Sequence, residues 1–218
     1  MRFDKIGKSE FLDNYPGMSL GPAHKDKLIF RGGFDFKRRS IDEVEIEATY
    51  KLEIHFPFTF PRELPKVWEI EEKIPRDGKH HTNSDGSLCL GSPIRLIEKI
   101  NSCPTFSGFA ENCLIPFLYI ITRQIRRGDG FISGELDHGE PGIIADYMKI
   151  FGLESRSQVI KLLQSLGMKK RIANKYPCPC DCGKRLGCCS FHKTVNKYRK
   201  TASRSWFRLH ASNPGSGM

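Results

Sequence analysis

The chain has 218 residues, 39% of them hydrophobic and 28% charged, with a formal net charge of +10. That length suits one domain with a sound core plus a small appendage, and the composition is globular rather than disordered. No apolar run approaches the roughly 20 residues of a membrane span, and MRFDKIGKSEFLDNY lacks the apolar stretch of a secretory signal; a soluble cytoplasmic protein with no membrane partner is expected.

Leu28 to Phe36 begins as an alternating strand and meets Gly32-Gly33, which predicts a turn or bulge there. Val44, Ile46, Ala48, Tyr50, Leu52, Ile54 and Phe56 then alternate with polar residues. This period of two predicts a strand with one buried and one wet face, long enough to invite a bend or break. Pro57, Pro61 and Pro65 remove amide donors and predict an ordered connector outside the ladder. Val67 to Ile70 reads as a short strand, and Pro75 to Gly91 as a long, polar surface loop of the kind that often carries function.

Helices follow Pro104. Leu114, Phe117, Leu118, Ile121 and Ile125 have helical spacing, with Pro116 in the first turn or at a kink. Ile143 to Phe151 predicts a second helix. Ser155 with Gln158 forms a capping box before Val159, Leu162, Leu163 and Leu166, and Gly167 marks the stop. Strands first and helices later define an α+β protein. Lys169 to Tyr176 is a basic link, and the tail ASNPGSGM predicts no regular structure.

Five of the eight cysteines lie in CPCDCGKRLGCCSFH, from Cys178 to Cys189. Residues so close rarely bridge each other, and clustered metal ligands explain the pattern better than disulfides. Thiolate and imidazole together suit a tetrahedral structural zinc, and Gly183 and Gly187 let the backbone turn tightly. The string resembles the SEC-C motif, a small zinc-binding module that begins Cys-Pro-Cys and closes with Cys-Cys or Cys-His after a basic turn. Here the spacing is one residue shorter and Cys182 is an additional candidate. The ligand set is therefore Cys178, Cys180, Cys182 and Cys189, with Cys188 or His192 as substitutes. The surrounding segment is basic: from Lys169 to His210, twelve Lys and Arg stand against Asp181 alone. Such a tail suits an acidic partner, either protein or nucleic acid, or is simply solvated.

Cys89 lies in KHHTNSDGSLCLGSP. By itself, a cysteine between leucines is more often core than nucleophile. Its context differs. The strings YKLEIHFPFTFPRELPKVWEI and HHTNSDGSLCLG resemble, in order, the ubiquitin-conjugating (E2-type) family over about Leu28 to Ile125. The resemblance implies an antiparallel-sheet E2 (UBC)-like core whose cysteine takes a ubiquitin-like modifier from an E1-type adenylating enzyme as a thioester and passes it to a lysine of a target protein. In the eukaryotic pattern an asparagine of a His-Pro-Asn tripeptide supports the oxyanion. Here His81 stands at that position and Asn83 two residues nearer. Bacterial E2-like proteins of modification and antiphage operons also often show histidine there, which implies a bacterial protein of that kind.

The chemistry assigns candidate roles. His80 or His81 would stabilise a thiolate or act as base, Asn83 would donate to an oxyanion, and Asp85 would orient an incoming lysine or serve as a turn residue. Cys113 is expected in the core, and Cys103 is placed for approach to Cys89 by nothing in the sequence. The expected organisation is an E2/UBC-like domain at 1–130, a helical extension at 131–168, a basic zinc module at 169–210 and an unstructured tail at 211–218. The competing readings are an inactive E2-like binding scaffold, and a nucleic-acid-associated protein acting through the basic tail.

Overall fold

The computed structural model describes residues 4–40, 43–77, 79–128 and 139–214. The chain divides into two compact units. Among the described residues, the first holds 4–91 and 95–128, and the second holds 92–94 and 139–214. The fold is α+β. The expected boundary at 130/131 and the last four residues of the expected tail lie outside the described residues.

In the first unit, helix α1 (Lys8–Asn14) precedes a four-stranded antiparallel meander in sequential order: β1 (Met18–Leu20), β2 (Lys27–Arg39), β3 (Glu45–Pro57) and β4 (Lys66–Glu69). Alternation makes the meander one-sided, as expected for antiparallel strands. On β3, Ile46, Tyr50, Leu52, Ile54 and Phe56 are buried and Ala48 packs half-buried on the same face, while the polar residues alternating with them lie on the other face. The strand runs unbroken for 13 residues.

The turn or bulge expected at Gly32-Gly33 is not there. β2 passes straight through, with Gly32 opposite Leu52 and Gly33 opposite Lys51. The glycines serve a close backbone approach instead. The Gly33 amide donates to the Gly17 carbonyl at 2.9 Å. A Cβ on Gly32 would stand 2.1 Å from that same oxygen, and its φ of +149° is one that side-chain-bearing residues avoid.

The buried face packs on helices. After α2 (Pro93–Ser102) come a short α3 (Phe106–Phe109), a π turn (Ala110–Leu114) and α4 (Ile115–Arg127), in which Pro116 sits in the first turn. Phe56 meets Phe106 with ring centroids 4.5 Å apart, Phe11 of α1 meets Phe30 at 4.6 Å, and Phe30 meets Phe106 at 5.3 Å. Tilted and edge-on aromatic pairs of this kind add to area burial. Cys113 is in this core, as expected, and burial pushes its thiol up to about 11.

The second unit is helical: α5 (Gly139–Phe151), α6 (Arg156–Gly167), a short α7 (Lys170–Ala173), then the cysteine loop, α8 (His192–Tyr198) and α9 (Arg204–Ser212). Ser155 caps α6, accepting from the Gln158 amide at 3.2 Å. At the other end, the Arg199 guanidinium donates to the carbonyls of Ser165 and Met168 at 2.6 Å and of Leu166 at 3.2 Å. It thereby satisfies acceptors that a helix C-terminus leaves open. Helix α9 ends at Ser212, two residues inside the segment expected to lack structure.

Candidate functional site

Two thiol sites were expected, one in each unit. At Cys178–Cys189 the backbone folds into a small hairpin. The Cys178 amide donates to Lys184 O at 2.9 Å, the Leu186 amide to Tyr176 O at 2.9 Å, and Pro177 pairs antiparallel with Arg185. Gly183, with φ of +75°, makes the tight return. The Asp181 amide donates to Cys178 O at 3.0 Å, and its carboxylate pairs with Lys161 of α6 at 2.7 Å.

This folding gathers four thiols. The sulfurs of Cys178, Cys180, Cys182 and Cys189 all lie within 4.8 Å of one another. Cys178 and Cys180 are 3.2 Å apart, and Cys180 and Cys189 3.7 Å. A tetrahedral ion with metal–sulfur bonds of about 2.3 Å sets its sulfurs roughly 3.8 Å apart, so the four can hold a metal ion after small adjustments. Burial pushes Cys178 and Cys180 up, whereas the Phe191 amide, donating to the Cys189 sulfur at 3.4 Å, helps hold Cys189 down at about 7.

The two substitutes lie outside this group. Cys188 is exposed, and His192 turns its Nδ1–H onto the Cys189 carbonyl at 2.6 Å, bracing a ligand's backbone. A local motif predicted the set because every member lies within twelve residues.

The Cys89 site is assembled from more distant parts. The loop after β4 returns as a narrow hairpin along that strand. Ser87 bridges Trp68, the Leu88 amide donates to Val67 O at 2.7 Å, and Thr82 bridges Leu88. The Cys89 amide donates to His81 O at 2.7 Å, so the two residues expected to share the chemistry are backbone neighbours. His81 has φ of +52°, in the left-handed region. Cys89 is half-buried. Burial raises its pKa, and the Gly91 amide directed at the sulfur opposes the rise without cancelling it.

Asp85 locks this hairpin. Its carboxylate pairs with Lys66 of β4 at 2.8 Å and accepts from the Ser87 amide at 3.0 Å and the Ser87 hydroxyl at 2.5 Å. Its carbonyl accepts from the Trp68 indole at 3.2 Å. Partial burial acts to raise the acid, but Lys66 and Ser87 outweigh it and hold it at about 2. Of the two roles open to Asp85, the structure places it in the turn. The Asn83 carboxamide donates to the Ser87 hydroxyl at 3.0 Å within the same turn. The His80 imidazole pairs with Asp77 at 2.8 Å, while the Asp77 carboxylate also accepts the amides of Lys79 and His80. Glu69, which sequence reasoning passed over, is buried and accepts from the amides of Glu71 and Ile74, anchoring the start of the loop.

No family model, curated protein or solved structure matches the chain. Among the described residues, no helix is long and apolar enough to cross a membrane.

Proposed function

We propose that the chain is an E2-like carrier that holds a ubiquitin-like modifier on Cys89, with a structural zinc bound by Cys178, Cys180, Cys182 and Cys189 stapling its basic second unit. The observation that carries the thioester reading is the placement of Cys89. It ends a polar loop that follows, in order, the long alternating strand β3, the proline-bearing connector and the short strand β4, and its amide is bonded to His81. That is the element order the resemblance implies.

The reaction has two exchanges. The Cys89 thiolate attacks the modifier's C-terminal thioester on an E1-type enzyme; a carbon–sulfur bond forms to Cys89 as the E1 thiolate leaves. A lysine amine of the target then attacks, forming the amide as the Cys89 thiolate leaves, and a base takes the amine proton. The Gly91 amide directed at the sulfur favours the departing thiolate. His81 and His80 are the nearby bases in sequence, and Asn83 is the candidate oxyanion donor once released from Ser87.

The test is a charging assay with the adenylating enzyme of the source organism, its modifier and ATP. Wild type should form an adduct cleaved by thiol reductant, Cys89→Ser one that resists it, and Cys89→Ala none. An adduct that persists in Cys89→Ala overturns the assignment. The upward pKa of Cys89 favours the scaffold reading, and failure of wild type to charge with a competent enzyme would overturn the carrier reading.

A further inference from the structure

The second unit has more positive charge than its own acids can neutralise. Residues 139–214 hold 15 Lys and Arg against 4 Asp and Glu. Asp146 is buried, Glu140 pairs with Arg156, and Asp181 pairs with Lys161. Those two cations lie on α6, upstream of the basic segment. Of the twelve cations between Lys169 and Arg208, Arg199 is engaged on carbonyls at the end of α6, and Arg208 donates to the Gly167 carbonyl at 3.3 Å. The other ten are exposed, and among the described residues none of them forms an ion pair with an acid.

Part of this charge is organised by the cysteine hairpin. Its ladder opposes Pro177 to Arg185, Tyr176 to Leu186 and Cys178 to Lys184, so the exposed Lys175, Tyr176, Lys184 and Arg185 are carried on the two paired segments of one short hairpin. Lys170 and Arg171 of α7 lie just upstream; the Lys175 amide donates to Ile172 O at 2.9 Å, tying the two segments together. Tyr176 is 51% exposed. The ring thus offers a flat, accessible face among cations.

We infer that this face binds single-stranded nucleic acid. Phosphates lie on the cations of α7 and the hairpin, and a base stacks on Tyr176. Stacking platforms flanked by unpaired cations bind single strands without reading sequence, because every base offers a flat face. An acidic protein fits less well. Its interface would need an apolar centre, and the exposed apolar side chains here are Tyr176 and the smaller Ile172. The inference does not depend on Cys89 chemistry.

The experiment uses the full-length, metal-loaded protein and fluorescence anisotropy. The probes are labelled oligo(dT) and oligo(U) of about 20 nucleotides, a duplex of the same length, and poly-glutamate, over about 50–300 mM salt. Both single strands should bind, with log K falling linearly in log salt by about 0.7 per phosphate contacted. Lys184→Ala with Arg185→Ala should weaken binding at least tenfold and flatten that slope by about 1.4. Tyr176→Ala should weaken it roughly five- to hundredfold with the slope unchanged, and Tyr176→Phe should bind as wild type does. Lys170→Gln with Arg171→Gln, outside the metal loop, should repeat the charge effect even if the hairpin variants lose metal. Cys89→Ser should bind normally, which separates this result from failure of the thioester reading. Absence of single-strand binding at about 50 mM salt overturns the inference. So does duplex binding indifferent to Tyr176→Ala. Poly-glutamate bound as tightly as oligo(dT), with Tyr176 again immaterial, overturns it in favour of an acidic protein surface.

Discussion

Cys89 and the 178–189 cluster are both thiol sites on turns, yet they are built differently. In the cluster, four sulfurs from one twelve-residue segment converge within 4.8 Å, and the hairpin that gathers them is closed by its own amides. At Cys89 a single sulfur is placed by a loop that must first find β4. Lys66 reaches Asp85 across 19 residues, and Leu88 bonds to Val67 across 21. The cluster can form wherever its short segment closes, whereas the geometry around Cys89 exists only once the sheet has formed. On the proposed function, metal would determine stability at one site and sheet packing would determine reactivity at the other.

The largest expected effect lies at the cluster. Structural zinc contributes apparent free energies of about 10–16 kcal/mol in small zinc peptides near pH 7. Strong chelation, or Cys189→Ser, should therefore abolish the melting transition of the second unit. Cys188→Ser should leave both the transition and one zinc per chain intact, as read by native mass spectrometry. If Cys189→Ser melts like wild type with its metal retained, the staple is elsewhere.

A smaller effect concerns pH in the same unit. His210 is buried against Tyr147, whose hydroxyl is 2.6 Å from its Nε2, and burial lowers its pKa from 6.5 to about 4. Between those values the unfolded chain takes up a proton that the folded chain refuses. Stability is thus greatest above pH 6.5 and falls towards pH 4, by roughly 3 kcal/mol in total. Urea titrations at pH 7 and pH 4.5 should show the loss. His210→Gln, similar in shape and non-titrating, should reduce the pH dependence by that amount, leaving whatever the cysteine ligands contribute.

At the Cys89 loop the expected effects are smaller. Asp85→Ala removes a half-exposed ion pair with Lys66 and two bonds from Ser87, which together contribute on the order of 1 kcal/mol. Urea unfolding of the first unit should report that loss, and alkylation of Cys89 should quicken as the hairpin loosens. An unchanged alkylation rate would mean that Asp85 braces the turn without controlling access to the sulfur.

What was legible in the sequence follows the range of the contacts. The alternation of β3, the Ser155 N-cap and the four-cysteine group are local patterns that the chain folds, although the Gln158 side chain accepts from the Glu154 amide rather than closing the box on Ser155. Gly32-Gly33 reads as a turn or bulge in the sequence because the partner requiring those glycines, Gly17, lies in the turn that leads into the neighbouring strand β1. The brace from Lys66 to Asp85, the cap that Arg199 places on α6 and the burial of His210 beside Tyr147 join residues 19 to 63 positions apart. Single residues carry no mark of such pairings. The charge of the basic segment was visible; that Tyr176 stands exposed beside it was not.

The finest distinction between the two sites is the pH profile of Cys89 itself. A free thiol ionises near pH 8.5, and the half-buried environment of Cys89 raises its pKa despite the Gly91 amide. Iodoacetamide should therefore modify Cys89 more slowly than glutathione at pH 7.4, with a rate still climbing where that of the free thiol has levelled. Mass spectrometry of the alkylated peptide reads this directly. A rate above that of glutathione at neutral pH would require a positive or donating group at the sulfur beyond the Gly91 amide. His81, joined to Cys89 through the backbone, is the first to examine, and His81→Ala should then restore the slow profile. A thiol that reacts only in denaturant is sealed from any modifier, and the metal-stapled scaffold is then the reading that survives.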